Sequence, residues 1–86
     1  MESFEGKVVE IIYRNDENGY TVGVMETVEN EIITFVGTFI SIEESDYLKI
    51  SGNQKLHPLY GMQLDVKSYE MPDLGSRKSI LAYLSS

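Results

Sequence analysis

YRNDENGYTV, residues 13–22, places a polar turn between two runs that are rich in β-branched and aromatic residues. Asn18 and Gly19 tolerate positive φ, so this pair strongly predicts a β-hairpin. The run before it, FEGKVVEIIYR at residues 4–14, lacks the spacing of an amphipathic helix and is typical of a strand. Its apolar residues occupy both parities, which predicts either a bulge after Gly6 or partial cover of both faces.

Four further runs have the character of strands. The second strand is predicted from Tyr20 to Thr27, and the third over residues 32–39, where Gly37 indicates a bend or a close backbone approach. The connection SIEESD, residues 41–46, is charged and too short for more than one helical turn. The fourth and fifth strands follow as YLKISGNQKL and MQLDVKSYEM, at residues 47–56 and 62–71.

Alternation of side chains assigns a core face to three of these strands. The core faces predicted in this way hold Tyr20, Val22 and Val24 in the second strand, Leu48 and Ile50 in the fourth, and Met62, Leu64 and Val66 in the fifth. The opposite faces hold Thr21, Gly23 and Met25 in the second strand, and Gln63, Asp65 and Lys67 in the fifth.

The C-terminal residues differ in kind from the strands. After Pro72 and Gly75, Ser76 stands as an N-cap before apolar residues at helical intervals, which predicts a short helix. We therefore divide the chain into a β-barrel over residues 1–72 and a C-terminal helix over residues 73–86. The predicted fold class is all-β with a small α element: a five-stranded antiparallel OB-like barrel with a short C-terminal helix.

An SH3-like barrel is the alternative for five short strands. The OB type is favoured because the first strand is long and contains a glycine, which lets one strand pair in both halves of a closed barrel. The absence of a clear helix between the third and fourth strands, where many OB folds carry one, counts against it.

Composition and charge limit the function. Eighty-six residues suffice for one compact domain but fall short of the usual stand-alone enzyme. The chain has no cysteine, which excludes disulfides and thiolate metal sites. No run approaches the ~18 apolar residues of a membrane span, and the acidic start is unlike a secretory leader, so we expect a cytoplasmic protein without membrane contact. A formal charge of −7 opposes binding to phosphate backbones.

Catalytic and metal-binding motifs are missing from the sequence. It contains no GxxxxGK[ST], GxSxG or HExxH stretch, so no catalytic residue is assigned. His57 is the only histidine and cannot form a zinc site without other strong ligands. The carboxylates of residues 41–46 lack the glycine and ligand order of a calcium loop and are typical of a solvated loop. No metal site is therefore predicted.

Aromatic and basic residues near two loops are the candidate nucleic-acid contacts. OB barrels bind oligonucleotides over strands 2 and 3, between the loop joining strands 1 and 2 and the loop joining strands 4 and 5. For each tyrosine, packing in the core or over a turn is the favoured alternative. HPLYG, residues 57–61, is first of all a turn. The candidates are Tyr13, Arg14 and Tyr20 at the first loop, Lys55, His57 and Tyr60 at the second, and Lys67 on strand 5.

Four segments carry a resemblance to a known family: GKVVEIIYRNDENGYTV, FVGTF, ISGNQKLHPLYGMQLDVKSYE and ILAYLSS, at residues 6–22, 35–39, 50–70 and 80–86. Together they resemble the N-terminal OB-like domain of bacterial RecD-like ATP-dependent DNA helicases of superfamily 1. The YRNDENGYTV hairpin and the HPLYG segment with Gln63 are the most specific parts. The chain departs from the family pattern at Leu64, which replaces an aromatic residue, and in the acidity of residues 41–46.

The resemblance implies an accessory domain of a helicase that couples ATP hydrolysis to 5′-to-3′ translocation on single-stranded DNA, in repair, replication or recombination. ATP and Mg²⁺ would act in motor domains that follow this stretch, and no cofactor is implied within these residues. The implied partners are single-stranded DNA and the motor domains of the same protein. The negative charge predicts weak or no autonomous binding to single-stranded DNA. The alternative is an acidic protein-interaction or structural module that does not contact nucleic acid.

Overall fold

The computed structural model describes residues 1–59 and 61–71. These residues form a closed barrel in the order β1-β2-β3-β5-β4, which confirms the five predicted strands. Within these ranges there is no helix, and so none that could cross a membrane. The predicted C-terminal helix over residues 73–86 lies outside the described residues. The strands are β1 (Glu2–Arg14), β2 (Tyr20–Thr27), β3 (Ile32–Thr38), β4 (Tyr47–His57) and β5 (Gly61–Glu70).

One pair of neighbouring strands is parallel, so the prediction of a wholly antiparallel barrel was wrong for that pair. β3 and β5 run in the same direction, with Phe35 beside Leu64 and Val36 beside Asp65. The other four pairs are antiparallel. A closed ring with an odd number of strands cannot alternate in direction all the way round. At least one parallel pair is therefore required by closure.

The first strand pairs in both halves of the barrel, as its length and glycine predicted. Residues 2–7 pair with β4, and residues 6–14 pair with β2. Gly6 lies where the two pairings overlap. A Cβ atom on Gly6 would be 2.1 Å from the carbonyl oxygen of Glu26, so the close approach of β1 and β2 requires a glycine there.

Two β-bulges explain the apolar residues of both parities in β1, and both lie after Gly6, as one of the two predicted explanations required. The register with β2 shifts at Val9 and again at Ile12. Each bulge adds one outward-facing residue, so the side chains of Val9 and Ile12 are exposed. Val8 is part of the core, and Ile11 packs against it. The bulges thereby place apolar side chains on the outside of the barrel.

The core face of β2 is the opposite of the predicted one. Alternation defines two faces but not which of them points inward. Gly23 decides the matter, because a Cβ atom there would be 2.6 Å from Cζ of Phe35, whose ring fills that space. The hydroxyl of Thr21 donates to the carbonyl of Gly19 at 3.0 Å, so its burial leaves no donor unpaired. The buried residues of β2 are Thr21, Gly23, Met25 and Thr27, and the outer face holds Tyr20, Val22 and Val24.

The core cluster draws on every strand and on the β3–β4 loop. The core faces of β4 and β5 agree with the prediction at Leu48, Ile50 and Leu64. The prediction of Met62 as a core residue was wrong, because Met62 is 56% exposed. The buried core residues are Val8, Met25, Phe35, Phe39, Ile42, Leu48, Ile50 and Leu64.

The acidic loop over residues 41–46 packs Ile42 into the core at one end of the barrel, where many OB folds carry a helix. Ile42 is buried, whereas the carboxylate residues beside it face solvent. The loop is tied to β1 by two backbone hydrogen bonds, from Ser45 N–H to the Val8 carbonyl at 2.7 Å and from Val8 N–H to the Asp46 carbonyl at 2.8 Å. The predicted solvated loop therefore also has a structural role.

Candidate nucleic-acid interface

A groove of about 580 Å³ lies on the outer face of the barrel. Side chains from all five strands line it, and β5 reaches it as the neighbour of β3 in the barrel. The groove-lining residues are Ile12, Tyr13, Tyr20, Val22, Thr34, Val36, His57 and Gln63. The predicted candidates among them are Tyr13, Tyr20 and His57.

The first wall of the groove is the tyrosine pair at the β1–β2 hairpin. The ring centroids of Tyr13 and Tyr20 are 6.4 Å apart with a tilt of 58°, and the residues are 52% and 40% exposed. The hairpin holds them in place: Asn15 N–H donates to the Tyr20 carbonyl at 2.8 Å, and Gly19 has a φ of 79°. The predicted hairpin is thus confirmed. Neither ring fills the core.

The second wall of the groove is the β4–β5 hairpin. Lys55 is exposed and pairs in register with Gln63, which lines the groove. The Nδ1 atom of His57 accepts a hydrogen bond from the backbone N–H of Leu59 at 3.0 Å, so the neutral ring carries its proton on Nε2. Tyr60, the remaining candidate of this hairpin, lies outside the described residues.

Arg14 and Lys67 do not line the groove. The Nη2 group of Arg14 donates to the carbonyl of Ile42, and its Nη1 atom is 3.4 Å from a carboxylate oxygen of Glu43. The Nζ atom of Lys67 is 3.0 Å from a carboxylate oxygen of Asp65. Both cations are therefore partly neutralised by neighbouring acidic residues. Of the basic candidates, His57 lines the groove, and Lys55 pairs in register with the groove residue Gln63.

Replacing Arg14 with alanine is expected to lower the free energy of unfolding by about 1 kcal/mol. The change removes the donor to the Ile42 carbonyl and one tie between β1 and the β3–β4 loop. Urea denaturation at neutral pH measures the effect. Lys67→Ala is the matched control, because an exposed ion pair contributes about 0.5 kcal/mol or less. Equal effects of the two substitutions would contradict the anchoring role of Arg14.

Sequence reasoning missed five residues of the groove: Ile12, Val22, Thr34, Val36 and Gln63. A signal was present in the two middle strands. Apolar residues occupy both faces of β2 and β3, which indicates a second, outer face that is partly covered. Val36 is buried although it lies on that outer face, opposite Phe35 in the alternation of β3. Sequence alternation does not show which face of β2 and β3 forms the groove, because that depends on contacts between residues distant in sequence.

One tyrosine hydroxyl with a shifted pKa lies away from the groove. The pKa of the Tyr47 hydroxyl is raised by desolvation, and further by the negative charge of Glu5 and a hydrogen bond to that carboxylate. Tyr47 pairs with Lys7 at the start of β4, where it does not line the groove. Among the residues that the structure describes, no cluster of three or more His, Cys, Asp or Glu side chains could hold a metal ion.

Comparison with known families supports the interpretation of the fold. Residues 1–72 match the family model described as the OB-fold domain of ATP-dependent DNA helicase YrrC. The match spans all five strands, and the groove lies over β2 and β3 between the two hairpins, where OB barrels bind their ligands. The expected resemblance to an N-terminal helicase OB domain is confirmed. A domain of this kind is an accessory to the helicase and is not itself catalytic. The chain belongs to the family of OB-fold domains of the ATP-dependent DNA helicase YrrC.

Proposed function

We propose that this domain serves a RecD-like, ATP-dependent 5′-to-3′ DNA helicase of the cytoplasm in DNA repair or recombination. In this proposal ATP and Mg²⁺ act in the motor domains of the parent protein, and the barrel packs beside those domains. The groove makes a weak contact with single-stranded DNA near the motor. Family membership supports the helicase context, and the geometry of the groove supports the contact with DNA.

The exposed tyrosine pair is the observation that carries the DNA contact. Tyr13 and Tyr20 present two rings on the side of a groove of mixed apolar and polar lining, although burial of both rings would be the ordinary outcome for tyrosines in a small barrel. Each base that stacks on such a ring contributes about 1–3 kcal/mol to binding. Stacking does not depend on the net charge of the domain, so it can act despite the acidic surface.

The charge of the domain keeps this contact weak. Among the described residues, His57 lines the groove and Lys55 pairs in register with the groove residue Gln63, whereas the whole chain carries a formal charge of −7. Each neutralised phosphate of a single strand contributes a salt slope of about −0.7, so one or two contacts give a shallow dependence. The domain therefore relies on the helicase motor to hold the strand and adds a few stacking contacts.

Fluorescence anisotropy with a labelled oligothymidine tests the proposal. We expect a dissociation constant no tighter than about 10⁻⁵ M at about 150 mM salt, and an affinity about tenfold higher at about 20 mM salt. Tyr20→Ala is expected to weaken binding by about fivefold or more while the barrel stays folded. Tyr47→Ala, which removes a ring outside the groove, is the control and should leave binding unchanged. Equal losses from both substitutions, or no binding at low salt, would refute the DNA contact.

A second candidate function follows from the same charge. The acidic surface suits a protein-interaction module that binds its own motor domains or another protein without touching nucleic acid. The absence of any binding to the oligonucleotide at low salt would favour this function.

A further inference from the structure

Gln63 is a buried polar residue on the wall of the groove. It is 7% exposed, and it lies on β5 next to the parallel pair that joins β5 to β3. Its side-chain amide makes no hydrogen bond to any residue that the structure describes. Buried side-chain amides are usually hydrogen-bonded, because burial removes their hydrogen bonds to water and an unpaired amide does not recover that free energy. The amide of Gln63 is therefore available to a ligand that enters the groove.

The chemistry of the amide indicates the class of ligand. The Gln side chain offers N–H donors and a carbonyl acceptor side by side in one plane. A phosphate oxygen can only accept, so a phosphate would leave the carbonyl of Gln63 unpaired. The edge of a nucleobase presents a donor and an acceptor next to each other and can satisfy both groups at once. The surroundings agree, because Tyr13 and Tyr20 in the same groove offer rings on which that base can stack.

We propose that Gln63 hydrogen-bonds the edge of a nucleobase held in the groove, and that this contact adds to the preference for bases over bare backbone that stacking on the tyrosines provides. The assignment rests on the proposed binding of single-stranded DNA and identifies the side chain that hydrogen-bonds to a base. An amide that is unpaired in the free domain and paired in the complex lowers the stability of the free domain and strengthens binding. Its removal should stabilise the free barrel and weaken the complex.

Gln63→Leu tests the proposal, because leucine fills a similar volume without the amide. In urea denaturation of the full chain we expect the variant to raise the folded-to-unfolded ratio by about fivefold. In anisotropy at low salt we expect it to weaken binding to a base-containing oligonucleotide by about fivefold or more, and to leave binding to an abasic strand of the same length unchanged.

Gln54→Leu is the matched control. Gln54 lies on the same hairpin, outside the groove, and its amide donates to a carboxylate oxygen of Glu2 at 2.9 Å. This variant should not stabilise the barrel and should bind both strands as the unchanged protein does.

Two results would overturn the assignment of Gln63 alone: destabilisation by Gln63→Leu, or unchanged discrimination between the strands in that variant. Equal binding of both strands by the unchanged protein would overturn the stacking on Tyr13 and Tyr20 together with this assignment. If the unchanged protein binds neither strand, the proposed DNA contact and this assignment both fail.

Discussion

Replacing Phe35 with alanine is expected to lower the free energy of unfolding by about 3–5 kcal/mol. Phe35 has no exposed surface, and its ring packs edge-on against Phe39 at a centroid distance of 5.4 Å. The ring also fills the space left by Gly23, which has no side chain to collapse into the resulting cavity. A domain of this size has a total stability of about 5–10 kcal/mol, so the variant should lose a large part of it.

Urea denaturation followed by circular dichroism measures this loss. Tyr13→Ala is the control, since it also removes an aromatic ring, but from the half-exposed outer face of the barrel. We expect the control to lose about 1 kcal/mol or less. Comparable losses in the two variants would show that Phe35 is not the centre of the core.

Replacing Gly6 with alanine is expected to lower the free energy of unfolding by about 3 kcal/mol. The added Cβ would be 2.1 Å from the carbonyl oxygen of Glu26 and 2.6 Å from the Cα atom of Thr27. Both atoms belong to the backbone at the C-terminal end of β2, so no side-chain rotation can make room for the added Cβ. β1 and β2 would have to separate at the point where β1 also pairs with β4, which weakens closure of the barrel.

Gly61→Ala is the matched control for Gly6→Ala. Gly61 has a φ of 84° and no atom within 4 Å of the position of an added Cβ, so its substitution adds backbone strain without a clash. That strain costs about 1–2 kcal/mol. Thermal denaturation of the two variants side by side tests the argument. A larger loss at Gly61 than at Gly6 would refute the close approach of β1 and β2.

The strands and the first hairpin could be predicted because their causes are local. Asn18 and Gly19 favour a tight turn whatever surrounds them, and the observed φ of Gly19 agrees. The alternation of β4 identified Leu48 and Ile50 as core residues, since its opposite face is polar. The length and the glycine of β1 predicted its pairing in both halves of the barrel. In each case the predicted feature follows from the properties of residues that are close together in the sequence.

The candidate site could be predicted only in part. Its two hairpins and the tyrosines at the first of them followed from turn chemistry and from the resemblance to helicase OB domains. The remaining lining could not, because Val22 and Val36 resemble core residues in the sequence. Arg14 illustrates the opposite case: it is adjacent to Tyr13 in the chain, but its guanidinium group contacts the β3–β4 loop.

Local sequence is thus sufficient for the number of strands, their limits to within a few residues, the turns and the family. Three features depend on the closed barrel: the inward face of β2, the parallel pairing of β3 with β5, and the burial of Gln63 on the wall of the groove. A period of two residues separates the faces of a strand without saying which one meets the core. That choice depends on which distant strands become neighbours, and here it sets Tyr20 beside the groove and Met25 inside the barrel.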